Sequence, residues 1–325
     1  MQNTVARFHA MLEKKFESHE YGQHPKELYE PIEYIMSLGG KRLRPLLVLF
    51  GYSLYKDDVE EILDQAMAVE VFHNFTLMHD DIMDDAPLRR GKATVHEKWN
   101  HNTAILSGDV MLVQAYELLL NTPKGKLKRI MRLFNRTACE VCEGQQLDMT
   151  FETKKTVSEE DYIEMIRLKT AVLLGMSLEM GAILADADEE DVKAIRSFGE
   201  NIGIGFQLKD DLLDVYADKA KFGKQVGGDI LANKKTFLLI NALDKVKKDQ
   251  KTELDKWLKA EMFKPEDKVK SVTEIYNQLG IKELTEAKMN EYFAKGFDQL
   301  KKVNGSLPAR AKLREFAEAL IERQK

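Results

Sequence analysis

Proline spacing sets the first limit on what this chain can fold into. Its seven prolines fall at Pro25, Pro31, Pro45, Pro87, Pro123, Pro265 and Pro308, leaving about 140 residues from Lys124 to Lys264 with none. A proline inside a helix removes a backbone hydrogen bond and clashes with the preceding turn, costing ~3 kcal/mol, so long helices are permitted here. Largely apolar helical spacing recurs in Leu112, Ala115, Tyr116 and Leu119, in Tyr162, Met165, Ile166, Lys169, Leu173 and Met176, and in Ile195, Phe198, Ile202 and Phe206. That period is helical rather than the alternation of a strand. Ser158 before Glu159, Glu160 and Asp161 reads as an N-cap, and Pro265 and Pro308 as prolines of a first helical turn. No linker or fixed-period repeat interrupts the pattern. The expectation is one all-α domain over residues 1–325, a bundle of about a dozen helices, with Asp244 to Lys282 as short amphipathic helices outside the core.

Two copies of an acidic pentapeptide stand at Asp80-Asp81-Ile82-Met83-Asp84 and Asp210-Asp211-Leu212-Leu213-Asp214. On a helix, the first and last aspartates of each copy share a face about one turn, or ~6 Å, apart. Like charges at that spacing repel unless a cation lies between them. One such motif in a chain that is 32% charged could be a solvated turn. Here both copies follow apolar helical runs, Val69 to Met78 and Ile202 to Leu208, so they close apolar helices rather than line a wet face. Ligands that are all carboxylate oxygen select a hard cation, and Mg²⁺ suits them when substrate phosphates and water complete its shell.

With 325 residues, 44% of them hydrophobic, the chain can bury a large core. Its net charge of −5 and dispersed basic residues argue against nucleic acid as a partner. The first fifteen residues include Arg7, Glu13, Lys14 and Lys15 and hold no signal-peptide core, and no stretch reaches ~20 uninterrupted apolar residues. A cytoplasmic protein with no membrane span is the expectation. The two cysteines form Cys139-Glu140-Val141-Cys142 inside a helical pattern, without a second pair to complete a zinc site, and read as small buried side chains.

Basic residues gather where a diphosphate would need them. Gly39-Gly40-Lys41-Arg42-Leu43-Arg44-Pro45 puts three cations at a helix start, which opposes the helix dipole and asks for a bound anion. Arg89-Arg90-Gly91 follows the first acidic motif, and guanidinium groups match phosphate in bidentate geometry. Lys169, Lys224 and Lys234 complete the set; each alone reads as a surface lysine.

In order along the chain, GGKRLRP, HDDIMDDAPLRRG, EGQQLDM, RLKTA, GFQLKDDLLD and FGKQVGGDILANKKT resemble the trans-isoprenyl diphosphate synthases, from about Gly39 to Thr236. The resemblance implies an all-α bundle around a deep central cavity, in general a homodimer. It implies Mg²⁺, with Mn²⁺ as a substitute, held by Asp80, Asp84 and Asp210. Arg89, Lys169, Thr170, Gln207, Lys224 and Lys234 would hold an allylic diphosphate (dimethylallyl, geranyl or farnesyl), with Asp80, Asp84, Asp210, Lys169 and Lys224 promoting its ionisation. Lys41, Arg44, His73 and Arg90 would hold isopentenyl diphosphate. Asp81 and Asp211 point off the shared face of each motif, and Asp148 and Asp214 are further candidates for metal or water. His73 on an apolar helix face is otherwise a core histidine; it lies two turns before Asp80 on the same side.

Two other readings stand beside this one. A class I terpene cyclase would share the fold and the first motif, but its second metal motif departs from Asp-rich sequence, and Lys41, Arg44 and Arg90 would lack a task. A non-catalytic partner subunit would carry damaged aspartate motifs, and both are intact here. For product length, Phe75 lies about 7.5 Å and Phe72 about 12 Å before Asp80 along a helix axis. A single Phe75 followed by Thr76, with no insertion in the motif, resembles archaeal-type geranylgeranyl enzymes, so C20 is favoured, C15 is the runner-up, and C30 or longer is not expected.

Overall fold

A computed structural model describes residues 2–217 and 227–322. Lys224 and the neighbouring Phe222 to Val226 of its motif lie outside the described residues. Helix dominates, in the order α1 (Gln2–Glu17), α2 (Lys26–Ser37), α3 (Leu43–Ser53), α4 (Leu63–Met83), α5 (Val95–Lys98), α6 (His101–Leu120), α7 (Lys124–Thr153), α8 (Glu159–Ile166), α9 (Val172–Leu184) and α10 (Glu189–Tyr216). Then come α11 (Gly228–Leu231), α12 (Phe237–Lys245), α13 (Lys248–Lys259), α14 (Pro265–Gln278), α15 (Ile281–Lys302) and α16 (Leu307–Glu322). The fold class is all-α. One small departure from it is a hairpin of two-residue strands, Leu88–Arg89 and Lys92–Ala93.

The signals read from sequence act as expected. Ser158 caps α8, its hydroxyl accepting from the Asp161 amide at 3.0 Å. Pro265 opens α14, and the proline-free span holds α7, of 30 residues, and α10, of 28.

Contacts divide the chain into two compact units. The first comprises Met1–Arg136, Met176–Arg196 and Val303–Phe316; the second comprises Thr137–Gly175, Ser197–Lys302 and Ala317–Lys325. In the first, α4 packs against α6, α3 and α1, and Leu12, Ile32, Leu49, Phe50 and Phe72 are buried. In the second, the first six residues of α12, Phe237 to Ala242, are all buried, with Phe237 and Ile240 in one cluster and Leu238 and Leu239 in another. Each of those side chains contributes about 1.5–3 kcal/mol by leaving water. The stretch expected outside the core supplies part of it: Leu254, Val272, Ile275 and Tyr276 pack with Ile230, Leu238 and Leu239.

One expectation is corrected here. Cys139 and Cys142 are exposed, because the buried stripe of α7 runs through Ile130, Leu133, Phe134, Thr137, Val141 and Gly144 and both cysteines lie off it. Lys128, Arg129, Arg132 and Arg136 on α7 line one cleft with Leu133 and Glu179. Helix α6, with a mean hydropathy of 1.3 over its apolar window, is long and apolar enough to cross a membrane by length and composition, although only 39% of that window is buried. It packs along α4, and its open side carries Ile105, Leu106, Val113 and Leu120.

Candidate active site

In the first unit, α4 carries the helix face that the sequence marked out. His73 and Asp80 both lie on it, and Asp84 is its C-cap, with the Asp84 amide donating to the Asp80 carbonyl at 2.9 Å. The helical spacing of Asp80 and Asp84 therefore survives the helix end. Asp84 is exposed, Asp80 half-buried and Asp81 buried. Arg89 grips Asp81 with two hydrogen bonds, Nε to Oδ2 at 2.7 Å and Nη2 to Oδ1 at 2.6 Å, and Nη2 lies 3.8 Å from Asp80. Asp81 thus orients an arginine.

The hairpin explains how two adjacent arginines take different directions. Arg90 and Gly91 form its turn with φ of 52° and 74°, the left-handed pair that a two-residue hairpin requires. Arg89 turns to the aspartates, whereas Arg90 Nη1 donates to the Gly39 carbonyl. A side chain at Gly40 would place its Cβ 2.9 Å from the Arg90 guanidinium carbon, so the glycine makes room for the cation.

Arg44 sits beside His73, with Nη1 3.0 Å from Nε2. Arginine can only donate, so His73 Nε2 accepts and the imidazole is neutral. Burial holds the His73 pKa well below its ordinary value, and the charges of Arg44, Arg90, Arg89 and Arg42 push the same way. Arg44 itself is pushed down to about 10, first by burial and also by Arg90, against the pull of Glu70. Its Nε is buried and donates to nothing. A desolvated cation with an unused donor is costly unless an anion completes it. Arg42, third member of the sequence cluster, turns inward instead: it meets buried Glu70 at 3.0 Å and the Met36 carbonyl at 2.8 Å. Lys41 remains exposed.

In the second unit, Asp210, Asp211 and Asp214 all lie within α10. Lys169 and Thr170 occupy a single π-helical turn, Arg167–Ala171, between α8 and α9. Such turns are rare and frequent at functional sites. Gly144 of α7 passes so close that a Cβ there would be 2.2 Å from the Lys169 amide nitrogen. Lys169 Nζ donates to Asp148 at 2.6 Å, with Lys234 3.8 Å from the same carboxylate. Thr170 and Gln207 meet at 3.4 Å, and Gln207 approaches Asp211 at 3.5 Å.

Two groups here were not singled out from sequence. Tyr162 donates to Asp211 at 2.5 Å in the interior, and burial pushes Asp211 up to about 8. Asp229, whose amide donates to Asp214 at 3.0 Å, is pushed up to about 6 by burial, then by Asp214, with Asp148 and Asp210 adding and Lys234 opposing. Asp229 stood in a quoted motif, but nothing in its spacing marked it; Tyr162 looked like any apolar-face aromatic. The carboxylates of Asp148, Asp210 and Asp214 lie close enough to Asp229 to raise its proton affinity. Their all-oxygen donor set fits a hard divalent cation.

Both units thus pair an aspartate motif with cations suited to phosphate, which defines a helical enzyme acting on diphosphates. The Polyprenyl synthetase family model matches residues 25–276, and the chain belongs to that family. It is 42% identical over 250 residues to a short chain isoprenyl diphosphate synthase of Methanocaldococcus jannaschii, covering 77% of this chain and 76% of the other. To a geranylgeranyl pyrophosphate synthase of Geoglobus acetivorans it is 37% identical over 315 residues, 96% of each chain. A crystal structure of a geranylgeranyl pyrophosphate synthase superposes with a TM-score of 0.94 at 42% identity, covering 99% of both chains. The chain is accordingly a prenyltransferase of isoprenoid diphosphates, in a family that depends on divalent metal.

Proposed function

We propose that this enzyme condenses isopentenyl diphosphate head to tail with an allylic diphosphate and releases geranylgeranyl diphosphate. The observation that carries the reading is Arg44, a buried cation with an unused Nε donor beside neutral His73. A cyclase has no second diphosphate to place there. Arg44, Arg90, Lys41 and His73 bind isopentenyl diphosphate, the neutral imidazole adding a polar contact without a further charge to desolvate.

Asp80, Asp84 and Asp210 are the Mg²⁺ ligands, and Asp148, Asp214 and Asp229 fit the same cation chemistry. Held there, Mg²⁺ would supply positive charge to offset that developing on the departing diphosphate. Lys169, held by Asp148, and Lys234, Thr170, Gln207 and Arg89 grip that diphosphate as its bond to the allylic carbon breaks. Lys224 of the same motif joins this set by resemblance. The isopentenyl double bond forms the new carbon–carbon bond, and the proton lost next goes to the released diphosphate. Water has to be excluded from the allylic cation.

Phe75 sets product length. It is buried, its ring 5.7 Å from Phe72 and 4.7 Å from His79, and Phe72 in turn stands edge-on to Phe134 at 5.0 Å. Three linked aromatic rings leave Phe75 little freedom to swing aside, which suits a floor; Thr76 lies half-buried beside it. The open apolar side of α6 fits a homodimer contact, and the protein acts in the cytoplasm.

The test is purified protein with Mg²⁺, isopentenyl diphosphate and each allylic diphosphate in turn. Both substrates should be consumed together and a C20 product should accumulate. Diphosphate released from the allylic substrate with isopentenyl diphosphate untouched would make it a cyclase, and no release at any chain length would make it a partner subunit.

A further inference from the structure

Just past the first aspartate motif, Asp85, His96 and His101 bring one ligand atom each to within 4.8 Å of one another. They flank the arginine hairpin: Asp85 precedes it, His96 follows it in α5, and His101 opens α6. The His96 side chain is wholly buried, with Nε2 4.0 Å from Asp85 and 3.8 Å from Glu97. Neither ring nitrogen of His96 has a hydrogen-bond partner. A neutral imidazole carries one N–H donor and one acceptor, and burying both without partners is costly. The His101 ring stands 5.0 Å from it, centroid to centroid. Asp85 holds a left-handed backbone, φ 48°, at the point where its side chain joins the group.

This donor set differs in kind from the aspartate motifs. Carboxylates alone favour Mg²⁺, whereas two imidazoles and one carboxylate favour Zn²⁺, Co²⁺ or Ni²⁺, with a fourth position left to water. We propose that Asp85, His96 and His101 bind one transition-metal ion of the zinc class, separate from the Mg²⁺ of catalysis, and that this ion fastens the two ends of the hairpin presenting Arg89 and Arg90. The metal satisfies the stranded His96 nitrogen. It also closes the loop from Asp85 to His96, removing the freedom of the turn that aims two arginines in opposite directions. The proposal does not rest on the prenyltransfer reading and is tested without substrate.

The experiment strips full-length protein with chelator, saturates it with Mg²⁺ and titrates Co²⁺. One equivalent should bind despite the Mg²⁺, with the visible absorption of four-coordinate cobalt. His101→Ala and Asp85→Asn, both at exposed positions where folding is not at risk, should each weaken binding by about tenfold or more. His96→Ala is unsuited, since the hole it leaves could itself unfold α5. Zn²⁺ should also slow trypsin cleavage after Arg89 and Arg90 in the parent and not in His101→Ala, while both turn over with Mg²⁺ alone. Absence of Co²⁺ binding once Mg²⁺ is present, or unchanged affinity in both variants, would overturn the site. Equal tryptic protection in parent and variant would overturn its role on the hairpin.

Discussion

The same pentapeptide is solved in two ways in the two units. In both copies the second aspartate turns inward and is buried, Asp81 at 3% exposure and Asp211 at 4%. Asp81 meets a guanidinium in a bidentate pair, so its charge is matched by charge. Asp211 meets a phenol and an amide, neutral donors that cannot match it, and burial drives it to hold a proton up to about pH 8. The same aspartate spacing therefore yields an acid paired with an arginine in one unit and a protonated acid in the other. The neighbours decide: an arginine eight residues away on a hairpin, against a tyrosine 49 residues away on another helix. The outer aspartates, half-buried at Asp80 and Asp214 and exposed at Asp84 and Asp210, are the pair that the copies have in common.

If that shared pair carries the metal, the largest effects should be equal in the two copies. Asp80→Ala and Asp210→Ala should each lower turnover by roughly 10²–10³-fold or more, with the helical circular dichroism signal retained. Full activity in either variant would break the equivalence. The cations should then separate. Arg90→Ala should mainly raise KM for isopentenyl diphosphate, and Lys169→Ala should mainly lower kcat; one shared kinetic profile would show that the assignment of substrates to residues is wrong.

Product length should respond in the first unit alone. Phe75→Ala should shift products upward by one or more C5 units, read by chromatography of the dephosphorylated alcohols, and cost about 3 kcal/mol of stability from the lost ring. Lys169→Ala should leave the distribution unchanged. An unaltered product from Phe75→Ala would move the floor to Phe72 or to α6 near Met111 to Tyr116.

The buried second aspartates give a smaller and unequal effect. Asp81→Asn breaks a charge pair whose arginine side chain is 22% exposed, for a loss of about 1–3 kcal/mol in urea unfolding. Asp211→Asn replaces a protonated acid with an amide and should cost less than about 1 kcal/mol. Equal losses would erase the contrast between the copies.

The smallest effect is one of pH. His73 stays neutral in the folded chain because burial and four arginines lower its pKa, whereas in the unfolded chain it takes up a proton near its ordinary 6.5. The unfolded state then binds more protons, so stability should fall as pH drops below 6.5, by at most about 1.4 kcal/mol per pH unit for this group. His73→Gln should flatten that slope. A slope unchanged in the variant would show that His73 titrates alike in both states.

Much of the molecule is set by features local in sequence. Proline placement and apolar period fixed α7 and α10 as long helices, and the four-residue spacing of Asp80 with Asp84 and of Asp210 with Asp214 is a property of any helix turn. The diphosphate motifs were legible because phosphate and Mg²⁺ demand particular side-chain chemistry wherever they bind. What only the tertiary structure decided were relations between distant residues. Arg42 looked like a third phosphate cation until buried Glu70 claimed it, and Arg44 stood out once its Nε was seen to lack a partner. The cysteines seemed buried from the helical pattern around them, but the face of α7 that meets neighbours is another one. The π-helical turn under Lys169 depends on a glycine of α7 passing at backbone distance. Whether an aspartate is ionised, and whether a histidine is stranded, depends on the field and the donors that packing brings within a few ångströms, and those come from elsewhere in the chain.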